Sequence, residues 1–414
     1  MRGAVVARVV LTLTCTAATT SCGGAETTTR EDGASVIDED VVSLDAPIWQ
    51  PGLGWRVEES PAVSIGPDAG DGPYLLHRVG GAVLLPGGGI AVTDGGSAEV
   101  RLFDADGGFS RSVGRRGEGP GEFGAYSDML IWKDSADRLL IAGTFGRVEA
   151  FDTQGEFLTS TTLEREPGVP FVSLRGVFND GSLLVGTTLP RPGERERPGQ
   201  KISREAIYWR YEDSHPIREL LRHEARGQYV HAYQGGTNTF FIPFDHDPLV
   251  VAAGDRLYVV PEAQPLVEVR DLSGRIMTRL RVEGPTMRRV DEIWPRAREE
   301  ILKGPMPGQT DDFREVFRRI YTDYLAQDLP LPEFVPAYER ALADHDGNVW
   351  LERRQLSWES SPPQWDVLDP TGLWLGTVTL PTGLVLHDVS GGLVVGVHTD
   401  ELDNETVRVH RLLK

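Results

Sequence analysis

The sequence predicts an all-β fold: a six-bladed β-propeller with a helical insertion between blades 4 and 5. Three observations carry this: a hairpin signature that recurs along the chain, Asp/Gly turn chemistry inside each copy, and one alternating segment near the N-terminus that closes the strand count. The composition agrees. With 47 Gly and 28 Pro in 414 residues, and only 8% aromatic residues, the chain suits many short elements joined by tight turns.

The N-terminus reads as an export signal over residues 1–21. Arg2 and Arg8 supply positive charge ahead of the short apolar run Val9–Thr20, which is below the roughly 20 residues a membrane-spanning helix needs. Small residues then lead into Cys22. This resembles a bacterial lipobox, and the resemblance implies lipidation at Cys22, with the mature protein exported and anchored to the bacterial cell envelope, in the periplasm or at the cell surface. Ordinary cleavage nearby and a retained anchor stay open, because no Leu stands three residues before Cys22 and Cys15 interrupts the apolar run. Cleavage before Cys22 leaves one cysteine, hence no internal disulfide. It also removes Arg2 and Arg8, taking the formal charge from −20 to −22. Residues 22–53 are polar and without period, and are expected to form a flexible, lipid-anchored tether.

The propeller is expected over 54–414. Trp55–Ile65 alternates and is broken by Pro61, which suits an outermost edge strand. The repeat begins with the hairpin Val83–Val92, and Val100–Phe109 supplies the second, with Phe103-Asp104 and Gly107 at its turn. The first hairpin recurs at Leu130–Ile141, Val177–Val185, Leu249–Val259, Ala341–Trp350 and Leu386–Val395. The second recurs at Val148–Phe157, Val267–Ile276 and Trp365–Trp374, with a degenerate copy lacking Gly at Ile207–Pro216. Two hairpins make a four-stranded meander that stacks around an axis. The last copy has three strands, ending in Thr406–Leu412, so Trp55–Ile65 is expected to supply its fourth.

The helical insertion is expected over about 286–333. Phe313, Phe317, Ile320 and Tyr324 fall on one helical face after a start at Thr310-Asp311-Asp312, and an earlier helix over about Met287–Lys303 is expected to bend at Pro295. A helical hairpin on one end of the propeller is the plain reading, and a lid over the channel the sharper one.

Gly114–Phe123 (GRRGEGPGEF) joins the first copy to the second. Together with the Val-x-x-Phe-Asp-x-x-Gly pattern, it resembles the linker of the six-bladed, NHL-like propeller lipoproteins of bacteria, over about residues 54–414. That resemblance implies the fold and no particular activity.

The charge excludes some functions. A formal charge of −20 without a basic block argues against nucleic acid as a partner. Gly114–Gly124 is not a phosphate cradle, because strands rather than a βαβ unit flank it; it is an interblade turn, with Arg115, Arg116 and Glu118 as ligand-face candidates. Asp245-His246-Asp247 is the densest set of potential ligands, yet it lacks the Cys pairs of zinc sites and the carboxylate number of calcium sites, so no metal is assigned. Asp346-Gly347 is explained by a hairpin turn. No Gly-x-Ser-x-Gly elbow is present. The expectation is therefore a surface-tethered binding module without catalysis or cofactor, its partner another envelope protein or a saccharide met on the Gly114–Gly124 face. The alternative is a metal-dependent hydrolase or lactonase with calcium or zinc in the channel, as in gluconolactonase-type propellers.

Overall fold

The computed structural model describes residues 41–50, 52–124, 129–143, 146–193, 196–304 and 311–414. The export signal, Cys22 and most of the expected tether lie outside them. Among the described residues three strands precede the repeat: β1 (Val41–Leu44), β2 (Arg56–Val57) and β3 (Val63–Ile65). Four-stranded meanders follow. The first is β4 (Val79–Leu84), β5 (Ile90–Asp94), β6 (Glu99–Phe103) and β7 (Phe109–Val113). The second is β8 (Leu130–Lys133), β9 (Leu139–Ala142), β10 (Arg147–Phe151) and β11 (Phe157–Thr162). The third has five strands: β12 (Ser173–Val177), β13 (Leu183–Pro190), β14 (Lys201–Glu212), β15 (His215–Tyr233) and β16 (Gly236–Phe241). The fourth comprises β17 (Leu249–Ala253), β18 (Arg256–Val260), β19 (Leu266–Arg270) and β20 (Ile276–Val282). The fifth comprises β21 (Tyr338–Ala343), β22 (Val349–Arg353), β23 (Gln364–Leu368) and β24 (Trp374–Thr379). The last contains β25 (Leu384–Ser390), β26 (Leu393–Thr399) and β27 (Glu405–Leu413).

The recurring Phe-Asp-x-x-Gly pattern has a direct cause. At the turn between the third and fourth strands, Asp104 Oδ1 accepts the backbone N–H groups of Asp106 (3.0 Å) and Gly108 (2.7 Å), and Gly107 takes φ +84°. Asp152, Asp271 and Asp369 repeat this, with Gly155, Gly274 and Gly372 in the left-handed region. The side chain satisfies two turn donors while glycine supplies the backbone angle. In the degenerate third copy, Asp213 at φ +52° takes the glycine's place, between Glu212 and His215. Aspartate tolerates that region better than most residues.

The first strands of the six sheets touch in sequence, β4, β8, β12, β17, β21, β25 and back to β4, so the sheets form a closed ring with these strands innermost. The core lies between sheets. Each neighbouring pair shares one buried apolar cluster; Phe103, Val92 and Val409 join the last sheet to the first, and Trp350, Trp365 and Val394 join the fifth to the last. Closure follows the sequence expectation. β2 and β3 pair antiparallel with β27, with Val57 opposite Leu412 and Ile65 opposite Val407. Pro61 lies between them on the outer edge, where its missing donor costs no ladder bond.

The expected tether ends earlier than residue 53. β1 adds a fifth strand to the fourth sheet, parallel to β20, with Val41 opposite Arg279 and Leu44 buried. Ile48 and Trp49 then donate N–H groups to Trp374 and Leu375 carbonyls at 3.0 and 2.8 Å. Trp49, Trp55 and Trp350 stack in series, with Lys414 Nζ 4.4 Å from the Trp55 ring centre. The polar average of this stretch hides isolated apolar residues. An unpaired sheet edge buries Leu44, and Val41 and Trp49 are half-buried, while Val42, Ile48 and Leu53 stay exposed.

Between β20 and β21 the chain forms α1 (Val290–Lys303), which contains Pro295, and α2 (Asp311–Leu325). α2 packs on β15 and β16, which extend the third sheet beyond the repeat. Tyr324 stacks on Phe240 at 4.6 Å and donates its hydroxyl to the Phe241 carbonyl, while buried His231 meets Asp323 at 3.1 Å. Phe317 and Tyr324 join this packing as the helical spacing predicts, whereas Phe313 is 57% exposed. No helix among the described residues is long and apolar enough to cross a membrane.

Candidate functional site

Antiparallel strands fix the two ends of the ring. Turns joining first to second and third to fourth strands lie at one end, which we call the turn end. Connections between sheets lie at the other. At the turn end the axis opens into a cavity of about 940 Å³, lined by the innermost strands of all six sheets, including Val83, Trp132, Arg175, Val251, Leu342 and His387.

Most charged groups at this cavity are already engaged. Lys133 pairs with Asp137 at 2.6 Å, Arg256 donates to the Pro370 carbonyl at 2.8 Å, and Asp346 pairs with Lys414 at 2.6 Å. Asp344 accepts the Asp346 and Asn348 N–H groups and the Trp350 indole. Asp388, buried, accepts the Leu84 N–H at 2.8 Å and meets His345 Nε2 at 3.2 Å. Trp132, Arg175, Asn179, Asp255 and His387 are different: none has a side-chain hydrogen bond or ion pair among the described residues. They come from four of the six sheets. Burial pushes the His387 pKa down to about 4, with Arg340 adding to the shift and Asp388 opposing it, so its imidazole is neutral at pH 7. The cavity therefore offers an indole face, a guanidinium, an amide, a carboxylate and a neutral imidazole.

Among the described residues no group of three His, Cys, Asp or Glu side chains is placed to hold a metal ion. Of the cavity carboxylates, Asp344 is spent on turn N–H groups and Asp388 on the Leu84 N–H and His345.

The residues singled out in the sequence sit at the connection end and do not line this cavity. Arg115 pairs with Glu122 at 2.7 Å, Arg116 donates to the Gly96 carbonyl, and the Glu118 carbonyl accepts from Arg147. A backbone hydrogen bond from Gly119, then Arg115, lowers the Glu122 pKa. Gly114 lies against buried Phe123: it has φ +75°, and a Cβ there would overlap the Phe123 ring, while Gly117 and Gly119 pack on Glu122. Asp245 accepts the Gly227 N–H at 3.0 Å and meets Lys201 at 3.2 Å, while Asp247 accepts the Arg226 N–H. Both thus cap the extension of the third sheet. Burial first, and then Arg354, lowers the His246 pKa against the pull of Asp245. These residues therefore lie at the opposite end of the ring from the axial cavity. Polar residues within innermost strands, such as Arg175 and His387 among apolar neighbours, were the sequence signal for the cavity.

The chain resembles known propellers. Residues 78–175, from the start of β4 to β12, match the model of the DUF5128 family, described as a 6-bladed β-propeller. No curated protein matches. Similar solved structures include a presumed exported protein of Bacteroides fragilis, 12% identical, covering 90% of this chain and 100% of that one, with a TM-score of 0.44. A DUF4221 family member from Bacteroides vulgatus is 10% identical, with coverage of 87% and 99% and a TM-score of 0.42. A streptogramin B lyase is also 10% identical, with coverage of 88% and 100% and a TM-score of 0.39.

Proposed function

We propose that this protein is an envelope-tethered binding module that holds a saccharide in the axial cavity at the turn end and does not turn it over. The observation that carries this is the set of five unengaged side chains, Trp132, Arg175, Asn179, Asp255 and His387, around one large cavity. A sugar ring presents C–H faces that stack on an indole, and hydroxyls that both donate and accept. Planar groups such as guanidinium, amide, carboxylate and neutral imidazole meet those hydroxyls in fixed directions. The volume of about 940 Å³ is near the top of the roughly 300–1,000 Å³ range of small-ligand pockets, so it accommodates more than one ring. A rigid ring presenting side chains from separate sheets suits recognition without moving parts. The basic start, short apolar run and Cys22 supply the envelope address.

The test is a calorimetric titration of soluble envelope oligosaccharides into the purified protein. Trp132→Ala and Arg175→Ala should each weaken binding about fivefold or more. Arg175→Ala should keep the native melting temperature, whereas Trp132→Ala also loses packing against the apolar cluster between the second and third sheets and should melt lower. Retained affinity in both variants removes the cavity from the reading. Calcium- or zinc-dependent consumption of the sugar makes the protein a hydrolase instead.

A further inference from the structure

A smaller pocket, of about 330 Å³, lies at the connection end, between the β20–β21 and β22–β23 connections. Its lining includes Thr286, Arg288, Arg353, Arg354, Glu359 and Gln364. Two of the three arginines are neutralised. Arg288 pairs with Glu359 at 2.6 Å and donates to the Arg354 carbonyl at 2.7 Å. Arg353 grips buried Asp366 with two hydrogen bonds of 2.8 Å. The other oxygen of Glu359 is taken by the Leu356 N–H at 2.8 Å. Arg354 stands apart. Its guanidinium has no hydrogen bond, and no carboxylate lies within ion-pair distance of it, among the described residues.

We propose that this pocket is an oxyanion site, with Arg354 as its cation and the ligand a carboxylate or a phosphate or sulfate group. A half-buried guanidinium without a counter-ion is costly, and a bidentate oxyanion is the partner its fork geometry fits. The electrostatics point the same way: burial lowers the Arg354 pKa, and Arg226 and Arg288 lower it further. Glu339 is the nearby acid that opposes them; burial and then Glu352 raise its own pKa, while Arg354 and Arg340 lower it. Thr286 and Gln364 add neutral polar side chains to the lining. The site is independent of the cavity at the turn end.

The experiment titrates the full mature protein with sodium sulfate and with sodium acetate, at constant ionic strength held with sodium chloride, following melting temperature and heat. At least one salt should raise the melting temperature saturably. A sulfate preference points to phosphate or sulfate ligands, and an acetate preference to carboxylates. Arg354→Gln should weaken that response roughly tenfold or more, and without added anion should melt no lower than the native protein. If Arg354→Gln does not fold, Arg354→Lys, which keeps the charge and loses the fork, should bind more weakly. A native protein that responds to neither salt overturns the proposal, as does an unchanged response in the variant that folds.

Discussion

Removing residues 23–66 takes away β1, β2 and β3 and should unfold the ring as one unit. The last sheet then keeps only three strands. β2 and β3 pair with β27 at two and three positions, and the Glu58 and Ala62 N–H groups reach the Arg411 and Val409 carbonyls at 3.0 and 2.7 Å. Roughly five backbone hydrogen bonds at about 1 kcal/mol each are at stake. Ile65, fully buried, contributes about 2–3 kcal/mol more. The loss is comparable with the whole stability of a typical domain, about 5–15 kcal/mol. Deletion of 23–40 leaves every described contact in place and should be nearly neutral. Deletion of 23–53 removes β1 and the Trp49 stack, and should cost an intermediate few kcal/mol while leaving the ring closed. The assay is urea unfolding followed by tryptophan fluorescence and circular dichroism. Equal midpoints for the chains lacking 23–40 and 23–66 would refute closure through β2 and β3. Equal midpoints for those lacking 23–40 and 23–53 would mean that β1 adds nothing to the fourth sheet.

Two further outcomes follow from the same reasoning. Cys22→Ala should move the protein from the membrane fraction to the soluble one without changing its melting temperature; a variant that stays with the membrane after a high-salt wash indicates a retained anchor. His387 links stability to pH: its folded pKa is about 4 against an ordinary value of 6.5. Between those values the unfolded chain binds the extra proton, so stability is full above about pH 6.5 and falls, by up to about 3 kcal/mol, as pH drops toward 4. His387→Gln should flatten that slope, and a variant with the native pH dependence would show that the imidazole is not held neutral by burial.

The sequence by itself determined whatever is local or counts. The Asp-x-x-Gly turns are legible because an aspartate that satisfies two turn donors, and a glycine at positive φ, act within five residues. The six copies are legible because each strand alternates, and the closing segment because one strand was missing and Pro61 marked an edge. The positions of Phe317 and Tyr324 on one face of α2 follow from the same periodicity. Only the tertiary structure decided what depends on surfaces meeting from distant parts of the chain. β1 and Trp49 were read as tether because their neighbours are polar; a sheet edge and Trp350 more than 290 residues away make them part of the fold. That Asp245 and Asp247 accept N–H groups from the backbone of β15 follows only from the extension of the third sheet that brings them there. The axial cavity is the clearest case. Trp132, Arg175 and His387 lie in separate copies, each unremarked alone, and the closed ring converges them on one axis while their neighbours' polar groups find partners elsewhere.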